Sequence, residues 1–307
     1  MRNKKKNPNK IVEFNSTADV IYRSVTIFVL FFYCLTLLYV LFWLISSSLK
    51  YYDDYILYPL NPPSLDRIRW QNYVEMFGKL NVTRQTEKGI VSWGILAMVQ
   101  NSIIWSLGCS VVNVFWNSVC GYVCAKYRSK FTRFIFAVGV FVMVTPLVGS
   151  FPSAMKLMRG LGVYDKMWFK FVQGPTTAFS GMHFLIMYGV FKDMPDSYIE
   201  AVRIDGGGHF TAMLRVMIPI AFPTIIALLT LNFVGSWNDT GTFLIWLPSY
   251  PNLSFGMYYI QANANSMQIG PNLVLAGIVM VSVPTIILYF ASQKGIMTKF
   301  AVGGIKG

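Results

Sequence analysis

The sequence predicts an all-α membrane protein: six transmembrane helices, with a cytoplasmic loop of two short helices between the fourth and the fifth. Three observations predict it. Of 307 residues, 54% are hydrophobic and 16% aromatic while only 13% are charged, which lies outside the range of soluble domains. The charges are clustered, and the gaps between them exceed the roughly 20 apolar residues that a helix needs to cross a hydrocarbon core. One charged, glycine-interrupted stretch, YIEAVRIDGGGHF at 198–210, is wedged between two of the most apolar regions.

The spans follow from the gaps. They fall at about 24–48, 94–124, 131–152, 173–191, 215–238 and 271–291, leaving an N-terminal segment 1–23 and a C-terminal tail 292–307. With the amino terminus inside, 16 Lys and Arg lie on the cytoplasmic side and 10 outside, so both termini are expected in the cytoplasm. The bias is moderated by the outer segment 156–170, which carries Lys156, Arg159, Lys166 and Lys170. The formal charge of +13 sits mostly at helix ends and not on a basic face of a soluble domain, which argues against nucleic acid as a partner. The first span follows a basic, Asn-rich leader and is too long for a cleaved signal, so it is expected to remain as an anchor.

Each element then has its own signals. Span one ends in a Tyr-rich boundary, and 51–90 reads as a short folded outer loop turned at Pro59, Pro62 and Pro63. Span two carries Asn101, Asn113 and Asn117, amides expected to face other helices. A tight inner turn leads to span three, broken near its outer end by Pro146 and Pro152. Span four contains His183, the one charged or titratable Asp, Glu, Lys, Arg or His away from the span boundaries, expected to be neutral and hydrogen-bonded to a neighbour. Cys34, Cys109, Cys120 and Cys124 fall in or beside apolar runs and read as small hydrophobic filler, so neither a disulfide nor a metal site is predicted.

Scarcity of intramembrane charge argues against a self-sufficient proton- or sodium-driven carrier, and the lack of clustered His, Asp, Glu or Cys argues against a membrane enzyme. The chain has no phosphate-cradling loop either, since DGGGHF lacks the Lys and Ser or Thr that must follow the glycines. Nucleotide, if it is the fuel, is hydrolysed by another subunit.

The stretch 193–220 is expected to form a helix, a bend and a helix. Pro195 and Asp196 stop the incoming helix, and Ser197 with Glu200 has capping-box spacing. Ile199, Val202 and Ile204 give an apolar face, Glu200, Arg203 and Asp205 a polar one, and Gly206, Gly207 and Gly208 break the helix before His209 starts another.

Glu200 and Ala201, Asp205 and Gly206, then Ile218 and Pro219, resemble the "EAA" loop of the membrane subunits of ATP-binding-cassette (ABC) importers. Val202 departs from that motif's second alanine and Gly207 from a usual alanine. SWNDTGTFLIWLPSYPNLSFGMYY at 236–259 and the ending TKFAVGGIKG at 298–307 resemble the second membrane subunit of the maltose-type, carbohydrate-importing branch. The similarity covers roughly 90–307. It implies a non-catalytic permease subunit in the cytoplasmic membrane of a bacterium, importing an oligosaccharide or another polar solute. It implies as partners a second, related permease subunit, an ATPase dimer and an extracellular solute-binding protein. No cofactor is expected on this chain, ATP and Mg being held by the ATPase.

By this resemblance the 198–210 loop is a coupling helix seated on the ATPase. The residues implied there are Glu200, Ala201, Arg203, Asp205, Gly206 and Gly207, with Glu200 capping its helix and pairing with a cation of the ATPase. The tail, through Gly303, Gly304 and Lys306, is implied to touch the same partner. For a sugar path, aromatic faces plus amides single out Trp237, Asn238 and Asp239 at the outer end of span five, with Asn101, Asn113 and His183 as further candidates.

Overall fold

The computed structural model describes residues 17–86, 89–127, 129–145, 151–173 and 181–300. The chain divides at residue 70 into two units.

The first unit holds helix α1 (Thr17–Ser48), the short α2 (Tyr52–Leu57) and one 3-10 turn, Leu65–Arg67. α1 begins ahead of the expected residue 24, because the stretch from Thr17 to Arg23 contains no breaker. Its apolar side chains from Val20 to Phe42 are exposed on every face within this unit, as a helix solvated by lipid or by a partner requires. Below it Lys50 is buried, and its ammonium donates to the carbonyls of Tyr58 (2.9 Å) and Pro59 (3.1 Å). Burial lowers the pKa of Lys50, with Asp54 pulling the other way.

The second unit starts with α3 (Gln71–Lys79) and a hairpin, β1 (Asn81–Thr86) against β2 (Gly89–Gly94), paired antiparallel from Asn81 opposite Gly94 to Thr86 opposite Gly89. The hairpin departs from the all-α expectation. VTRQT shows no apolar alternation; its pairing is held instead by distant groups, with Arg84 donating to the Phe243 carbonyl and Tyr259 to that of Thr83.

Then come α4 (Ile95–Lys126), α5 (Lys130–Val144), α6 (Phe151–Gly160), α7 (Met167–Gln173) and α8 (Met182–Asp193). They are followed by α9 (Ser197–Ile204), α10 (His209–Ala212), a π-helical turn (Met213–Met217), α11 (Ile218–Trp237), α12 (Gly241–Ile245), α13 (Leu253–Asn263) and α14 (Pro271–Phe300). Among the described residues four helical stretches are long and apolar enough to cross a membrane: Val20–Ser48, Ile95–Lys126, His209–Trp237 and Pro271–Ala291. The third and fourth expected spans are represented by α5 and α8, whose 15 and 12 residues are each shorter than a full crossing. Residues 146–150 and 174–180, and with them Pro146, lie outside the described residues; Pro152 occupies the first turn of α6, where its missing N–H costs nothing.

α4 is the central element, packed on α8 and α11, with α14 on the far side of α11. Its buried residues include the small Ser102, Ser106, Ser110, Ser118 and Gly121, which let helices approach closely, beside larger ones such as Met98, Trp105 and Tyr122. At Gly121 a methyl group would stand 2.9 Å from Met187 Cβ and from the Tyr188 nitrogen, so a larger residue would push α8 away. Ser110 and Ser118 turn their hydroxyls back to the carbonyls of Ser106 and Val114, so burying them leaves no donor unpaired. Two large apolar clusters form the bundle core, beside a small third one of Cys120 and Phe184. Met98, Trp105, Trp237, Phe243 and Phe255 belong to one, at the α13 end. Tyr122, Met187, Phe191, Ile199, Met213 and Met217 belong to the other, at the end that carries α9 and α10.

Candidate functional site

α9, the glycine turn and α10 form a knob at one end of the bundle, and its attachment starts at Lys126. This last residue of α4 has a side chain only 3% exposed, and its ammonium donates to the Met194 carbonyl and to Asp196 Oδ1 (2.8 Å). That ion pair overturns the capping-box expectation. Asp196, not Ser197, is the N-cap, its backbone is already helical, and no side chain caps the turn. The backbone closes it instead, with the Asp196 carbonyl accepting from Ile199 and Glu200. Glu200 is exposed and forms no cap.

Ile199, 6% exposed, is the root of the knob, inserted among Tyr122, Phe191 and Met217. One turn on, the polar side faces outward: Glu200, Ala201, Arg203 and Asp205 are exposed, and so is Ile204 at 86%.

α9 ends in a Schellman turn. The Gly206 amide donates to the Arg203 carbonyl and the Gly207 amide to that of Val202 (2.8 Å), the pairing that satisfies the last orphan carbonyls of a helix. Gly206 has φ +79°, where a Cβ clashes with the backbone. Gly207 is required for a different reason: a methyl there would lie 2.6 Å from Val202 Cγ1 and 3.1 Å from the Val202 carbonyl. The two departures from the importer motif therefore meet in space, the added bulk of Val202 filling the volume that glycine vacates.

His209 locks the second arm. Its carbonyl accepts from Tyr122 (3.2 Å), its ring lies 4.5 Å from that of Tyr127, and its Nε2 meets the Arg203 guanidinium. Arg203 thus spans the bend inside the knob while remaining exposed. Phe210 follows at 70% exposure, and the π-helical turn then feeds α11. Nothing in the sequence alone singles out Lys126, Tyr122 or Tyr127 as anchors of the knob, and His209 is expected only as the start of its second helix, although a lone lysine closing a 32-residue helix is a usable signal.

The other named residues are not gathered into one place. Trp237 is buried, stacked on Phe233, and donates to the Val281 carbonyl of α14 (3.1 Å). Asn238 bonds back to Val234, and Asp239 accepts from the Thr242 amide (3.0 Å) while its carbonyl receives Asn252. Asn101 donates to Pro251, Asn113 accepts from Asn117, and His183 meets Asn232 (3.4 Å). Near Asp239 lies Lys170, which the sequence marks only as part of the basic outer segment. Lys170 is bonded to Gln173 Oε1 (3.0 Å), its ammonium is 4.7 Å from the Trp246 ring centroid, and burial lowers its pKa against the opposing charge of Asp239. Gly303, Gly304 and Lys306 lie outside the described residues. The four cysteines are free thiols, and among the described residues no group of three His, Cys, Asp or Glu is placed to hold a metal ion.

The chain is similar over 288 residues to the arabinooligosaccharides transport system permease protein AraQ of Bacillus subtilis (strain 168), at 27% identity covering 91% of this chain and 94% of that protein. The maltodextrin transport system permease protein MdxG of the same organism is 24% identical over 67% of this chain and 74% of its own length. The fold matches the crystal structure of a bacterial ABC transporter involved in the import of the acidic polysaccharide alginate, with a TM-score of 0.69 at 21% identity, over 92% of this chain and 98% of that one. The family described as the binding-protein-dependent transport system inner membrane component matches residues 117–294, which run from the middle of α4 through the knob and into α14. With more than half of its residues so matched, this multi-pass membrane chain belongs to that family, the non-catalytic membrane component of a binding-protein-dependent transport system.

Proposed function

We propose that the chain is the permease subunit of an ATP-driven importer that moves an oligosaccharide or related sugar inward across the bacterial cytoplasmic membrane. In this reading the knob of 194–215 couples it to a separate ATPase dimer. One observation carries the coupling: α9 and α10 are rooted by Ile199, Lys126 and His209 while Glu200, Ile204 and Phe210 are exposed, with no side-chain hydrogen bond or ion pair among the described residues. A rooted lever with an exposed amphipathic tip suits transmission of a rigid-body movement, because only contacts that differ between two states shift their balance. The sugar rests on the relatives, whose names specify arabinooligosaccharides and maltodextrin.

The assembly pairs this chain with a second, related permease subunit and with an extracellular solute-binding protein; the family's description, binding-protein-dependent, supports the latter. ATP and Mg belong to the ATPase. The third and fourth of six crossings within 24–291 fall at about 131–152 and 173–191, to which α5 and α8 belong. Both termini and the knob then lie in the cytoplasm, and the tail with Gly303, Gly304 and Lys306 runs along the ATPase. Glu200 pairs with a cation of the ATPase, flanked by Ala201, Arg203 and Asp205, while Gly206 and Gly207 set the bend. Trp237, Asn238, Asp239, Asn101, Asn113 and His183 serve the bundle as structural contacts first, which leaves much of the sugar contact to the second permease subunit.

Gentle purification of the tagged chain tests this reading: an ATPase and a second polytopic subunit should co-elute. Glu200→Arg should leave the chain inserted but detach or uncouple the ATPase. Normal sugar-stimulated hydrolysis in that variant, or sugar flux through this chain alone in liposomes, would refute the proposal.

A further inference from the structure

One feature of the sequence is left unexplained by coupling: the cluster of basic residues at 156–170, on the side of the membrane where positive charge is disfavoured. The structure gathers part of it around a polar cavity of about 390 Å³ lined by Arg159, Gly162, Tyr164, Asp165, Lys166, Ser249 and Tyr250.

The wall of this cavity is fixed. The Met158 carbonyl accepts from both Val163 and Tyr164, and Gly162 turns the chain at φ +68°. The Tyr164 hydroxyl donates to the Ile245 carbonyl (2.8 Å). Asp165 sits at φ +57°, a conformation uncommon for a residue with a side chain, and its Oδ1 accepts the Ser249 amide (3.0 Å). The loop before α7 is thereby tied to the loop after α12. The carboxylate is engaged in the wall, while Arg159 and Lys166 are exposed and, among the described residues, form no ion pair. Arg159 is held over the Tyr164 ring, 4.7 Å from its centroid, which reduces the entropy lost when the guanidinium is engaged.

We propose that this pocket is a docking point for an acidic surface of the extracellular solute-binding protein, Arg159 and Lys166 receiving Asp or Glu side chains. The assignment rests on the importer reading and on its orientation. A neutral sugar is a poorer occupant, because the Tyr164 face is covered by Arg159 and its hydroxyl is already taken. A phospholipid is also poorer, because no aliphatic side chain lines the cavity to receive an acyl chain. A protein carboxylate needs only what is present: a preplaced guanidinium capable of bidentate bonding, an ammonium beside it and two tyrosines, the residue types that dominate interface energies.

A photo-crosslinking residue at Leu161, exposed next to the pocket, tests this in intact cells. The expected product is a solute-binding protein linked through an Asp- or Glu-bearing surface. Arg159→Glu with Lys166→Glu should cut its yield by about tenfold or more, and changing the mapped acids on that protein to Lys should restore it. With the isolated complex in phosphatidylcholine nanodiscs, raising NaCl from about 50 to about 500 mM should slow association of the wild type and leave the double variant unaffected. Co-elution of the ATPase and its basal hydrolysis should be unchanged in the double variant. Unchanged yield and association rate after charge reversal would overturn the docking assignment, as would crosslinks to lipid or to the second permease subunit. Labelling of Leu161→Cys only from the cytosol would overturn the orientation beneath it, and absence of any co-eluting ATPase would overturn the importer reading itself.

Discussion

The tightest contact in the knob yields its sharpest prediction. In Gly207→Ala the new methyl stands 2.6 Å from Val202 Cγ1, 3.1 Å from the Val202 carbonyl and 3.3 Å from Thr211 Cγ2. Carbon atoms pack at about 3.5–4.0 Å, so the first contact is about 1 Å too short, and overpacking of this kind costs about 1–3 kcal/mol. Val202 is β-branched in a helix and has little rotamer freedom with which to yield, so α9 must shift and stretch the Gly207 amide bond to Val202. Val202→Ala removes the clashing methyl but not the carbonyl approach, so Gly207→Ala in that background should cost less than about 1 kcal/mol, a coupling of about 1–2 kcal/mol. Hydrogen exchange at the amides of residues 205–207, in the four chains of a double-mutant cycle, is the assay. Gly207→Ala alone should lower protection about tenfold, equivalent to about 1.4 kcal/mol, and the double variant should fall within about threefold of Val202→Ala. Equal losses in both backgrounds would refute the claim that these two positions exchange volume.

Lys126→Met strips the cation from Asp196 and the Met194 carbonyl, and a buried ion pair broken from one side costs about 3–5 kcal/mol, reduced here because Asp196 is partly exposed. Proteolysis and hydrogen exchange at 194–200 should rise, and Asp196→Asn, which leaves the buried ammonium with neutral acceptors and no opposing charge, should raise them at least as much. Lys170 gives a pH dependence whose direction is set by burial. Its folded-state pKa lies below the ordinary 10.5, so the folded form binds fewer protons than the unfolded form between the lowered value and 10.5. The burial penalty is fully present below the folded pKa, and stability from this group rises as pH climbs through that window. The Tm of the wild type relative to Lys170→Met in detergent should therefore increase from pH 7 toward about pH 10.5. A flat or falling difference would contradict it.

Spans one, two, five and six were legible because each is a long apolar run bounded by charge, and that signal does not depend on neighbours. Spans three and four were less so: α5 stops at Val144 and α8 starts only at Met182, boundaries that composition does not mark. The hairpin of Asn81–Gly94 was missed because its strands are polar and are paired through Arg84 and Tyr259 contacts with residues more than 150 positions away. At the knob, the glycines announced the bend, since glycine alone takes positive φ without cost. Capping by Ser197 and Glu200 was a sound local inference that a distant lysine overrode, because a buried ammonium needs a carboxylate more than a helix end needs a hydroxyl.

What the sequence determined by itself was the solvent and the punctuation: oil-length runs, charged ends, and a triple glycine that breaks a short amphipathic helix. Those are properties of consecutive residues, and the free energies behind them, transfer into hydrocarbon and backbone strain, act locally. Only the tertiary structure decided that Lys126 anchors the knob, that Val202 fills the space above Gly207, and that Trp237 spends its indole N–H on α14. Each of these depends on which surfaces meet, and helix approach in a bilayer is governed by close contact and polar satisfaction between distant segments.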